Sequence, residues 1–295
     1  TMSSTSTSLD KSPTVLSFRI PLLGDKKLIN TIFSAYNTFA KSTSSPKIGL
    51  IIDYEKGKVA DYSEMFAQIV SLGGNIIFSK GMCSTNAIRN SSKTSEPSIK
   101  LGSLSINLPR LALESSKDET YFRARLVLLM KPAIAAMATR KKDVSDLIRR
   151  GVNPILAEKT QFMQKNDSSI VLNFVGLKEA VHKILGHKED KEGKEILNKV
   201  LQTAVDIAHK KGQEMGIDVS IAMVDSDELT RFVTLDSEKY GKNSIMDVLQ
   251  GDLYSQGLEL NYTELDKLTA KSEIISDYNT ISKILDGGVL VKLPF

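Results

Sequence analysis

Tryptophan is absent from this chain, and cysteine occurs once, at Cys83. A single thiol excludes an intrachain disulfide and any zinc or iron–sulfur site built from several cysteines, and a reducing, cytoplasmic setting is expected. His182, His187 and His209 are the only histidines, and no two of them have the i, i+4 spacing that brings two imidazoles to one helical face. No metal site is therefore expected. The phosphate-cradling patterns G-x-x-x-x-G-K-[ST] and G-x-G-x-x-G are missing, as are H-E-x-x-H and G-x-S-x-G. No apolar run approaches the roughly 18–20 residues that cross a bilayer, so no membrane association is expected. The net charge is +4, from 39 basic and 35 acidic residues. That excess is too small and too dispersed to argue for specific nucleic-acid binding, although it is compatible with an anionic small molecule. The first fourteen residues, TMSSTSTSLDKSPT, lack the apolar centre of a signal peptide, and their Ser/Thr-rich composition predicts a disordered arm.

What remains is an ordinary globular composition, 41% hydrophobic and 25% charged. The patterning predicts strands at 15–21, 47–54 and 75–80, alternating with helices at 25–41 and 60–74. Asp25 is a candidate N-cap, and the pair Gly73–Gly74 a helix stop. This β-α-β-α-β rhythm implies a parallel sheet, whose ligands bind beyond the carboxyl ends of the strands. A polar loop is expected over 84–100 and a strand over 102–110, ending at Pro109. A long helix follows over 118–150, which Pro132 should kink or divide. Further strands are expected at 168–176 and 219–225, with helices at 177–185 and 188–215, the latter stopped by Gly216. RFVTLDSEKYG (231–241) reads as irregular, the stretches 261–268 and 277–285 as short helices, and GGVLVKLPF as a final strand. One mixed α/β domain over 15–295 is expected.

Few residues bear chemistry. Arg140, Lys141 and Lys142 form a basic run that is either a solvated helix face or a binding patch. Asp225, Asp227 and Glu228 follow a predicted strand and form either a polar loop or a carboxylate site. Cys83, in GMCSTNAIRN, lies just beyond the strand NIIFSK. It is either a small buried hydrophobe or a reactive thiol. No cationic neighbour is predicted that would lower its pKa. Thiyl-radical chemistry needs no such neighbour, because it transfers a hydrogen atom inside an enclosed site.

The ordered series GMCS, GSLSINLPRLAL, FVGLKEAVHKILGH, RFVTLDSEKYG, DLYSQG and ILDGGVLVKLP resembles the later barrel portion of the anaerobic, class III glycyl-radical ribonucleoside-triphosphate reductases. The resemblance implies an incomplete α/β barrel of the glycyl-radical reductase type, with parallel β-α-β units. Cys83 would match the finger-loop cysteine that becomes a thiyl radical and abstracts the ribose 3′ hydrogen. Asn107 would match the asparagine that hydrogen-bonds the ribose hydroxyls, and Met82 a methionine beside the cysteine in some relatives. The departures matter as much. No glycine here precedes an aromatic residue, so the family's glycyl-radical motif, like R-V-x-G-Y, has no counterpart, and neither do its zinc-binding cysteines. The expectation is a truncated reductase-like chain with no bound cofactor, unable to reduce ribonucleotides without a partner chain carrying the glycyl radical. The alternatives are a non-catalytic nucleotide-binding or assembly protein of that family, or an unrelated α/β protein with a free cysteine. Ribonucleotides or deoxynucleotides are the expected ligands. Half a barrel exposes two sheet edges, which either extra helices cover or another chain pairs with, so a partner chain or homodimer is among the expectations.

Overall fold

The computed structural model describes residues 16–20, 25–42, 48–53, 59–79, 99–152, 168–224, 226–249, 251–259 and 268–292. The chain divides into two compact units, Thr1–Ala87 and Ile88–Phe295.

In the first unit three short strands, β1 (Leu16–Ile20), β2 (Ile48–Asp53) and β3 (Asn75–Ser79), pair in parallel in the order β1-β2-β3. Helix α1 (Lys26–Ser42) connects the first two, and α2 (Ser63–Ser71) the second and third. Asp25 begins α1 as expected, its Oδ1 accepting the backbone N–H of Lys27 at 2.9 Å. The apolar positions of α1, three and four apart, bury Ile29, Phe33, Tyr36 and Ala40. Phe33 is fully buried and packs edge-on against Tyr62 (5.5 Å between ring centroids) and Phe66 (5.1 Å).

The second unit is built on the parallel sheet β4-β5-β6-β8: β4 (Ile99–Asn107), β5 (Ser168–Val175), β6 (Asp218–Met223) and β8 (Gly288–Val289). β5 and β6 are buried along nearly their whole length, as in other covered parallel sheets, whereas β4 is mostly half-buried. Helix α4 (Glu119–Arg149) buries Phe122, Leu126, Met130, Ile134 and Met137. It runs through Pro132 without being divided. Pro132 and Leu128, whose carbonyl loses its i+4 amide, are both exposed, so water can satisfy that oxygen. Helix α5 (Lys191–Met215) is capped by Asp190, which accepts from the Gly193 amide at 3.1 Å, and ends at Gly216 with φ +64°.

Several readings from the sequence need correction. The strand expected over 102–110 stops at Asn107, and residues 108–110 already belong to helix α3 (Leu108–Glu114), with Pro109 in its first turn. The stretch 231–241 is not irregular. It lies almost wholly within helix α6 (Leu229–Tyr240), followed by the short α7 (Lys242–Met246). The helix expected over 177–185 is wound mainly as a π-helical turn, Glu179–Ile184. At the end of the chain a single helix, α8 (Leu268–Ile284), replaces the second of two short ones, and residues 261–267 of the first lie outside the described residues. The final strand is divided between two partners: β8 pairs with β6, while β9 (Val291–Lys292) pairs with β7 (Leu258–Glu259). Leu290, between them, donates its amide to Met223 O and accepts the Leu258 amide.

Candidate functional site

The carboxyl ends of β4, β5 and β6 meet a layer of buried polar side chains. Asn107, the last residue of β4, is extended (φ −78°, ψ 95°) and caps α3, its Oδ1 accepting the Arg110 amide at 3.2 Å. Its Nδ2 donates to Oδ2 of Asp236 at 2.7 Å. Arg110 Nε donates to the other carboxylate oxygen of Asp236 at 2.5 Å, and the Tyr254 hydroxyl donates to Oδ2 at 2.9 Å. Asp236 is completely buried on α6. A buried carboxylate is tolerated only when paired and hydrogen-bonded, and here three donors, one of them cationic, surround it. Burial first, and the Asp236 charge second, push the Tyr254 hydroxyl well above the usual phenol range, so it remains a proton donor.

Neighbouring contacts tie the strand ends together. The buried Asn173 of β5 accepts the Val224 amide at 2.8 Å and donates to the Val224 carbonyl at 3.0 Å, which extends the sheet pairing just past β6. Ser105 and Ser226 hydroxyls meet at 2.8 Å. The segment Tyr254–Gly257 is buried across the same end. Ser255 donates its amide (2.8 Å) and hydroxyl (2.5 Å) to the buried Glu179, and its carbonyl accepts the Gly176 amide. Gln256 accepts the Ser226 amide at 2.9 Å. On the outer side, Lys239 of α6 and Arg125 of α4 both reach Glu114 at the end of α3, at 2.9 and 3.2 Å. The Lys239 hydrogen bond above all holds the Glu114 carboxyl below the usual range. Helix α6, and Asp236 with it, is thus fixed against α3 at two points.

Asn107 is half-buried. An amide has two N–H groups and two oxygen lone pairs, and the contacts to Asp236 and Arg110 use one of each. These two contacts leave one donor and one acceptor of the amide uncommitted. Cys83 and Met82 lie outside the described residues, as does Asp225. Glu228 is half-buried and pairs with Arg231 at 3.1 Å, one turn along the helix. His209 meets Asp286 at 2.7 Å and His187 meets Glu119 at 3.6 Å. Among the described residues no group of three side chains could hold a metal ion, and no helix is long and apolar enough to cross a membrane. A cavity of about 700 Å³ opens between the start of α5 and α8, but Asn107 does not line it; two ion pairs cross its wall, Lys178 with Glu189 at 3.9 Å and Lys194 with Asp277 at 3.0 Å.

Sequence reasoning singled out Asn107 but missed Arg110, Asp236, Tyr254 and Glu179. Asn107 followed by Leu108 and Pro109 is a helix-start signature that could have ended the strand where it ends. No local signal joins Asn107 to Asp236, which lies 129 positions away.

The model of the anaerobic ribonucleoside-triphosphate reductase family matches residues 39–293. The chain belongs to this family. It is 31% identical over 156 residues to the anaerobic ribonucleoside-triphosphate reductase of Haemophilus influenzae, an alignment covering 48% of this chain and 22% of that protein. Its fold is that of the solved reductases. The Thermotoga maritima anaerobic ribonucleotide reductase with glycerol in the active site superposes with a TM-score of 0.64 at 20% identity, over 91% of this chain and 46% of that one. The same enzyme with dATP in the specificity site gives 0.63 at 21% identity, over 90% and 47%. The chain thus spans 22% of the Haemophilus protein and 44–55% of the solved reductase chains it matches. The α/β fold with parallel β-α-β units, expected from the resemblance, is the fold observed.

Proposed function

We propose that this chain supplies substrate-handling residues of an anaerobic ribonucleoside-triphosphate reductase. Asn107 binds the ribose hydroxyls, and Cys83, next to Met82, is the residue that becomes a thiyl radical. The supporting observation is the state of Asn107, which ends a strand of a parallel sheet with its amide held at both ends and with one donor and one acceptor unspent. The Thermotoga enzyme in complex with dATP and CTP supports a nucleotide as the ligand.

In this reading the Cys83 sulfur radical takes the 3′ hydrogen, forming an S–H bond and leaving a carbon radical on the sugar. No glycine in the sequence precedes an aromatic residue. The radical therefore reaches Cys83 from outside these 295 residues, which alone do not reduce ribonucleotides, and a partner chain is one carrier for it. The reading also puts the protein in the cytoplasm.

Calorimetric titration with ribonucleoside triphosphates tests the binding half of the reading. Binding that Asn107→Ala weakens supports it, and no binding at millimolar ligand overturns it. Supplying a polypeptide with an activated glycyl radical tests the other half. Ribonucleotide reduction should appear with the native chain and vanish with Cys83→Ser. Full activity in Cys83→Ser would sink the radical assignment, while binding without any reduction would favour a non-catalytic nucleotide-binding relative.

A further inference from the structure

We infer that Asp236 is the positioning residue of Asn107, fixing which end of the amide faces each way. The inference rests on the ribose-binding reading above and adds a residue to it.

Three contacts close a ring. The Arg110 amide donates to Asn107 Oδ1, Asn107 Nδ2 donates to Asp236 Oδ2, and Arg110 Nε donates to Asp236 Oδ1. Rotating the amide by half a turn would set its NH₂ against the Arg110 N–H and its oxygen against a carboxylate. Both hydrogen bonds would become repulsions, one of them against a buried charge, where screening by water is weakest. The amide therefore has one stable orientation, and the unspent donor and acceptor have fixed positions. Arg110 Nε and the Asn107 amide each donate to one carboxylate oxygen, so Asp236 presents only acceptors to its neighbours. Neutral asparagine at 236 would fit the same volume, but it could turn its own NH₂ toward Asn107 and release the amide. The Tyr254 hydroxyl, on the same Oδ2, and Lys239, bound to Glu114, hold α6 so that the carboxylate cannot retreat.

The full chain is titrated with cytidine triphosphate and with its 2′,3′-dideoxy analogue, for the native protein, Asp236→Asn, Asn107→Ala and the double variant. The expected result is a native preference for the ribose form of about tenfold, set by hydrogen bonds to the two hydroxyls. Asp236→Asn should lose most of that preference, and adding it to Asn107→Ala should change nothing further, as for two residues acting through one contact. Preference retained in Asp236→Asn but lost in Asn107→Ala overturns the positioning role and leaves the ribose-binding reading standing. Preference retained in Asn107→Ala overturns both. Should Asp236→Asn fail to fold, the side-chain amide protons of Asn107 in the native protein decide. One proton shifted downfield and protected from exchange supports the role, and two equivalent, rapidly exchanging protons refute it.

Discussion

Gly176 is where backbone conformation and the candidate site meet. It follows β5 with φ +70°, and a Cβ built on it would lie 2.4 Å from Cγ and 2.6 Å from Cδ of Pro109, the proline two residues after Asn107. Gly176→Ala should therefore cost twice. A left-handed backbone costs an alanine about 1–2 kcal/mol relative to glycine, and relief of the clash with a rigid ring costs about 1–3 kcal/mol more. Gly151 provides the control. Its φ is +67° and nothing lies within 4 Å of its Cβ position, so Gly151→Ala carries only the first cost. Unfolding in urea, followed by far-ultraviolet circular dichroism because the chain has no tryptophan, should place Gly176→Ala about 1–3 kcal/mol below Gly151→Ala. In a unit of this size that difference lowers the melting temperature by about 2–4 °C for each kcal/mol. Equal stability of the two variants would show that the strand end and α3 are not packed as described. Equal loss in both, followed by normal nucleotide binding in Gly176→Ala, would further show that the Pro109 contact does not hold Asn107 in place.

Two further outcomes follow from other parts of the structure. Phe33→Ala should destabilise the first unit by about 3–5 kcal/mol, since it empties a fully buried site faced by two rings; a loss under about 1 kcal/mol would place Phe33 outside that unit's core. Burial lowers the pKa of His182 from its ordinary 6.5. A depressed folded-state pKa contributes stability that is present above pH 6.5 and lost as pH falls through the lower folded value. The native melting temperature should therefore fall between pH 7 and 5 more steeply than that of His182→Leu, and parallel curves would remove His182 from the account.

Much of the scaffold follows from local pattern. The spacing of Ile29, Phe33, Tyr36 and Ala40 makes one face of α1 apolar, so a helix there buries its stripe whatever surrounds it. Gly216 stops α5 because it can take a left-handed φ at little cost. The apolar runs of β5 and β6 mark strands buried along nearly their whole length, and the alternation of such runs with helices is enough to imply parallel pairing. Asn107 could be named from its motif.

The site's second half had no such signal. Helix α6 is rich in residues that form helices weakly, with Val233, Thr234, Asp236 and Ser237 in its middle, and its buried positions are Leu229 and Asp236. A carboxylate on the buried face looks like a break in the apolar stripe when read along the chain. Only the fold brings Asn107, Arg110 and Tyr254 around it, from 129, 126 and 18 positions away. The sequence by itself determined where the chain could form helices and strands, because those preferences act over a few residues. The tertiary structure decided that Asp236 could be buried, because the desolvation of a charge is offset only by donors that the folded chain assembles from distant segments.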